Sequence, residues 1–102
     1  MPKDVSVLEA AQLVDEGAVL LDVREQDEWL AVRAPDALHI PMSRLSTSAD
    51  QLPGDRLLVC ICHVGGRSAV VAEALVGAGY DAVNVAGGME AWQAAGLPTR
   101  SG

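Results

Sequence analysis

The apolar positions fall into short blocks that alternate between two periods. Residues 18–23, Ala-Val-Leu-Leu-Asp-Val, form an apolar run broken by one aspartate, and residues 57–61, Leu-Leu-Val-Cys-Ile, form another. Aliphatic runs of this length predict strands buried on both faces. Residues 37–40 and 82–85 predict two shorter strands, the first stopped by Pro41. Between them the period becomes helical. Ser6 followed by Glu9 is a capping-box pattern, and Leu8, Ala11, Leu13 and Val14 supply the expected buried side of a helix that Gly17 ends. A short helix is expected over 25–31, a helix or turn over the polar 43–51, and a turn at Pro53-Gly54. A helix that is apolar nearly all round is expected over 68–78, and a last one runs from Gly87-Gly88 through Trp92.

Strands alternating with helices predict an α/β fold, a parallel sheet with helices on both faces. Ligands in such folds bind beyond the carboxyl ends of the strands. The segment 60–68, Cys-Ile-Cys-His-Val-Gly-Gly-Arg-Ser, lies at one of those ends, directly before a helix. It is the leading candidate site.

Composition narrows the function classes. A chain of 102 residues has room for one core, so a single domain over 1–102 is expected, with its body at about 5–95. Only three residues are aromatic, so the core is aliphatic. A net charge of −7 argues against nucleic acid as a partner and offers anionic lipid no polybasic patch. The stretch from Leu57 to Val76 is the most apolar, but His63, Arg67, Glu73 and two glycines interrupt it, so no membrane span is expected. The first ten residues lack the cationic and apolar pattern of a secretory leader. Cys60 and Cys62 are one residue apart, a poor disulfide geometry. A soluble, reduced, cytoplasmic protein is expected.

Spacing selects among chemistries for the segment. Cys60, Cys62 and His63 fall short of the four ligands of structural zinc, which come as two separated pairs, so no metal and no cofactor are expected. A thioredoxin-like pair needs two residues between its cysteines; here there is one. Cysteine-dependent phosphatases need five residues between cysteine and arginine, whereas Cys62 and Arg67 are separated by four. There remains a cysteine nucleophile at the floor of a short loop. Gly65 and Gly66 allow successive N–H groups to turn inward as an anion-binding nest, and the helix opening near Arg67-Ser68 adds its positive end. Both favour the Cys62 thiolate. The plainer alternative, a glycine turn beside a buried cysteine, stays open on these residues alone.

The segment from Cys62 to Ser68, with Gly65, Arg67 and Ser68 at the matching places, resembles the Cys-x-x-Gly-x-Arg-Ser loop of rhodanese (sulfurtransferase) domains. Asp22-Val23-Arg24-Glu25 with Glu28-Trp29, Ile40-Pro41, and Gly87-Gly88 followed by Trp92 are similar to three further blocks of that family. The resemblance runs from about Val5 to Trp92. It implies a central parallel sheet of five strands and a persulfide carried on Cys62, with His63, Val64, Gly65, Gly66, Arg67 and Ser68 as the substrate-binding loop. The implied activity moves a sulfane sulfur from a small donor, such as thiosulfate or a persulfide, to a thiol or cyanide acceptor. The alternative is a non-catalytic sulfur-carrier or protein-interaction domain of the same fold, which presents a persulfide, or nothing, to a protein partner. Where the family has Gly-His-Ile, this chain has Val32-Arg33-Ala34, and a local change in that turn is expected. His63 and Val64 replace the cationic residues that attract thiosulfate in some members, so that attraction should be weaker.

Outside the loop, Asp22 and Arg24 are expected to form an ion pair that orders the neighbouring turn. His39 is expected as a satisfied strand histidine, and Trp29 and Trp92 as cover for the core or the rim of the site. Glu25, Asp27 and Glu28 read as a solvated helix face. Arg67 has two open roles, facing an anion or bracing the loop against a carboxylate.

Overall fold

A computed structural model describes residues 3–102; the first two residues of the expected 1–102 domain lie outside the described residues. In chain order the elements are β1 (Lys3–Val5), α1 (Val7–Asp15), β2 (Val19–Asp22), α2 (Gln26–Ala31), β3 (Leu38–His39), β4 (Leu58–Ile61), α3 (Gly66–Gly77), β5 (Ala82–Val85) and α4 (Gly88–Ala94). Two 3₁₀ turns, Met42–Thr47 and Ala49–Gln51, join β3 to β4. The five strands form one parallel sheet in the order β1-β5-β4-β2-β3. The four periodicity-derived strands are present, β5 with the expected bounds and the other three trimmed by a residue or two. β1 is the fifth. Its three residues are too few to show a period, and it pairs with β5, with Lys3 opposite Val83.

Strand alternation sorts the core into two layers. Leu20, Val59, Ile61 and Val85 point to the face covered by α1 and α4, where they meet Ala10, Met89 and Trp92. Leu21, Leu58, Cys60 and Ala82 point to the opposite face, against Val71, Ala72 and Leu75 of α3. Both layers are mainly aliphatic. Among the described residues, no helix is long and apolar enough to cross a membrane.

α1 corrects one expectation. Its buried residues are Val7 and Ala10, with Ala11 and Val14 partly covered, and Leu8 is exposed. The stripe i, i+3, i+4, i+7 begins at Val7, which leaves Leu8 about 100° away from it. The Ser6 hydroxyl accepts the Glu9 N–H at 3.1 Å, while the Glu9 carboxylate lies 3.6 Å from Lys3 Nζ. Only half of the capping box is made there. The complete one is at α2, where Glu25 and Glu28 cap each other's backbone N–H groups.

The order of the strands also fixes where a site can form. From β2 the chain turns through α2 to β3 on one side, and from β4 it turns through α3 to β5 on the other. The two connections part between β2 and β4, the switch point at which a parallel sheet leaves a crevice. Cys62 is the first residue beyond β4 at that crevice.

Candidate active site

Cys62 continues the α3-facing side of β4 and is 1% exposed. After it the chain reverses within three residues to start α3, a turn that requires a left-handed residue. Gly65 supplies it at φ 105°, and a Cβ there would lie 3.3 Å from both the Gly87 nitrogen and the Val85 carbonyl oxygen. The reversal aims donors at the sulfur. Gly65 N–H donates to Sγ at 3.1 Å, Ser68 N–H reaches it at 3.4 Å, and the Ser68 hydroxyl lies 3.3 Å away. Burial of the sulfur opposes a negative charge. The Ser68 hydroxyl and the N–H groups of Ser68, Gly65 and Val64 outweigh it, and the Cys62 pKa falls below its ordinary value.

Cys60, two residues earlier on the same face, has no such donors. Burial alone pushes its thiol up to about 12. Both cysteines are free. A buried thiol that stays protonated is a small core hydrophobe.

The nest is therefore built by Val64, Gly65 and Ser68. Gly66 is the first residue of α3, two positions earlier than the expected start, and it sits inside the helix without a bond to sulfur. The expected Gly65–Gly66 pairing is corrected accordingly: one left-handed glycine makes the turn, and the helix supplies the remaining donor. Val64 is exposed, and the half-exposed His63 ring lies 3.7 Å from the Glu90 carboxylate.

Arg67 braces the loop. Its guanidinium reaches both carboxylate oxygens of Glu28 at 2.7 Å, clamping α3 to α2 across the crevice. The Glu28 carboxyl is held down at about 2, chiefly by Arg67, and the Arg67 pKa is raised in turn. Glu28 is thus no solvated face residue. The expectation failed because one glutamate of an acidic run looks like its neighbours until a partner some 39 positions away is folded beside it.

Asp22 and Arg24 form the expected ion pair, fully buried, with Arg24 Nε and Nη2 on the carboxylate at 2.8–3.1 Å. Nη1 donates to the Glu28 carbonyl in α2, and Nη2 also donates to the Val32 carbonyl just beyond it. His39 Nε2 lies 2.8 Å from the Arg24 carbonyl, which can only accept, so that nitrogen carries the proton. The imidazole stacks on Trp29, with centroids 4.4 Å apart, and Arg33 lies over the indole's ring. Trp92 is in the core and donates to the Pro98 carbonyl. In the Val32-Arg33-Ala34 segment, Arg33 forms a two-bond antiparallel bridge with Arg100, and Ala34 is buried.

Two site elements were missed in the sequence. Asn84, buried in β5, places Oδ1 at 2.6 Å from the Ser68 hydroxyl, while its Nδ2 donates to the Gly65 carbonyl and to Asp4 Oδ1. A lone amide in the apolar stretch Ala82-Val83-Asn84-Val85 was the available signal. The start of α4 is the other. Met89 and Glu90 donate their N–H groups to the Cys62 and His63 carbonyls at 2.8 and 3.0 Å. A Cβ on Gly88 would overlap those same carbonyls. The Gly87-Gly88 pair is therefore the back wall of the loop. It holds the carbonyls outward so that the following N–H groups can point in.

Comparison with known proteins agrees with this geometry. The family model for the rhodanese-like domain matches residues 6–95. The thiosulfate sulfurtransferase GlpE of Actinobacillus succinogenes is 39% identical over 84 residues, covering 81% of this chain and 76% of its own. That of Coxiella burnetii is 34% identical over 96 residues, covering 92% and 90%. A rhodanese-related protein from Thermoplasma volcanium superposes with a TM-score of 0.90 at 28% identity, over 96% of this chain and 97% of its own.

Proposed function

The chain belongs to the rhodanese-like domain family and is a sulfurtransferase, and on that premise we propose that it works as a single domain whose Cys62 carries the sulfur in transit. The Cys62 thiolate attacks the outer sulfur of the donor. With thiosulfate, the S–S bond breaks, sulfite leaves with the electron pair, and the charge moves to the new outer sulfur of a Cys62 persulfide. Cyanide attacks that outer sulfur and departs as thiocyanate; an acceptor thiol departs as its own persulfide, keeping its proton. Either way the thiolate is restored. Because it is already favoured at rest, no general base is needed.

The observation that supports this reading is the convergence of two N–H groups and one hydroxyl on a single sulfur at 3.1–3.4 Å. A cradle of this size suits one or two sulfur atoms. The arginine fork that would grip a tetrahedral phosphate is already engaged by Glu28. Among donors, we place neutral or weakly charged persulfides ahead of thiosulfate. His63 and Val64 bring no fixed cation to the mouth, and the one guanidinium beside it is neutralised. The chemistry requires a free Cys62 thiol, and we assign the protein to the reducing cytoplasm on that account.

Intact mass after donor treatment tests the reading. A gain of one sulfur, about 32 Da, localised to Cys62 and lost on adding cyanide is expected. Sulfur elsewhere, or none, would overturn it. Steady turnover with a small donor and acceptor separates the enzyme from a carrier that only presents sulfur to a protein.

A further inference from the structure

The Ser68 hydroxyl has two acceptors and one proton. Its oxygen lies 3.3 Å from Cys62 Sγ and 2.6 Å from Asn84 Oδ1. The amide orientation of Asn84 is fixed from the other side, because Nδ2 faces two acceptors, the Gly65 carbonyl at 3.2 Å and Asp4 Oδ1 at 3.1 Å. Turning the amide over would set an oxygen against both. Oδ1 therefore faces Ser68 permanently, and two oxygens 2.6 Å apart form a good contact when the Ser68 proton lies between them and a repulsive one when it does not. Ser68 and Asn84 are both buried, so water does not relieve the conflict.

We propose that Asn84 is a positioning residue that competes with the Cys62 sulfur for the Ser68 proton, so that this hydroxyl changes partner within each transfer cycle. The inference rests on the reading of Cys62 as the sulfur carrier. In the persulfide, the inner sulfur is neutral and a poor acceptor, and Ser68 donates to Asn84. When the acceptor attacks the outer sulfur, the S–S bond breaks with its electron pair on Sγ. The hydroxyl then rotates to donate to the new thiolate, and no proton is gained or lost. When Sγ next attacks a donor, the hydroxyl returns to Asn84. Asn84 thus weakens one of the donors that favour the thiolate and keeps the sulfur more basic than the nest alone would. Attack by a thiolate strengthens with its basicity, while departure weakens. The amide balances the two half-reactions.

The charged groups around the sulfur are the Arg67–Glu28 and His63–Glu90 pairs, Glu25, the buried Asp22–Arg24 pair and, behind Asn84, Asp4. Asn84→Ala leaves all of them in place. It is expected to lower the Cys62 pKa by about one unit, read from thiolate absorbance or alkylation rate against pH, and to do nothing in a Ser68→Ala background. Loading from the donor should slow about threefold above that pKa, and discharge to the acceptor should speed up. Simple loosening of the loop through the lost Gly65 contact would raise the pKa and slow discharge instead. Asn84→Val, better suited to a strand, repeats the measurement if the alanine variant melts early. In the unaltered protein, the Asn84 side-chain carbonyl resonance should titrate with the midpoint of the Cys62 thiolate. An unchanged or raised pKa in a folded variant, the same fall without Ser68, or a carbonyl resonance blind to the titration would overturn the proposal. These titrations do not depend on sulfur transfer. Failure of Cys62 to load sulfur would sink the functional reading and leave them interpretable.

Discussion

Cys60 and Cys62 lie on one face of one strand extension, and their surroundings drive them apart. Burial without donors keeps Cys60 protonated up to about 12, whereas the donors of the loop bring Cys62 below the ordinary range. At neutral pH, brief treatment with iodoacetamide should modify the folded protein once, at Cys62, as peptide mapping would show. Cys62→Ser should abolish transfer to cyanide. Cys60→Ser should retain most of it while losing about 1–3 kcal/mol of stability, since its hydroxyl enters an apolar layer. Equal loss of activity in two well-folded variants would refute the assignment. The Glu28–Arg67 pair gives a second test. A carboxyl depressed from 4.5 to about 2 stabilises the fold above the higher value, and that stability is lost as pH falls through the lower one. Because both partners are partly solvated, the contribution is about 1 kcal/mol. Glu28→Gln should flatten urea-unfolding stability between pH 4.5 and 2 relative to the parent protein. An identical acid profile would show that the clamp contributes nothing.

At the scale of elements, the loop's shape belongs to three segments. β4 delivers the sulfur, α3 and Gly65 supply the donors, and the first turn of α4 holds the intervening carbonyls. Gly88→Ala should therefore act on chemistry as well as stability. The added methyl meets the Cys62 and His63 carbonyls, which are backbone and cannot rotate away. A loss of 2 kcal/mol or more, about 30-fold in the folding equilibrium, is expected with slower transfer, checked by melting and assay together. Melting like the parent protein would show that α4 can withdraw without cost. All the strands and helices but β1 were legible because their apolar runs and glycine stops are local. Cys62, Gly65 and Ser68 were legible because they are adjacent in the chain. Glu28, Asn84 and the N–H groups of Met89 and Glu90 reach the loop only through the strand order, which no spacing records. Leu8 was misread for a smaller reason: a helix face starting at Val7 and one starting at Leu8 differ by a single step of the same period.

At the scale of the molecule, the charge of −7 bears on which donor arrives. The molecule measures 33 × 26 × 22 Å. The screening distance is about 30 Å in about 10 mM salt and about 8 Å at about 150 mM, so in dilute buffer a dianion meets the repulsion of the whole surface. The kcat/KM for thiosulfate should rise across that range, while that for an uncharged persulfide stays flat. A fall for thiosulfate would reveal a cationic approach path and reverse the proposed donor preference.

The order in which these parts leave the ribosome has a consequence for a growing chain. Cys62 emerges well before Asn84, Met89 and Glu90, which complete its loop, and β1, made earlier still, waits for β5 as its neighbour. A nascent chain stalled before β5 would carry both cysteines, but its loop would lack the Asn84 and α4 contacts that hold the donors on Cys62. Its thiols would titrate more nearly alike, and Cys62 would be less primed to capture sulfur or to suffer early oxidation. The Cys62 sulfur acquires its full set of contacts only once β5 and the first turn of α4 have been made.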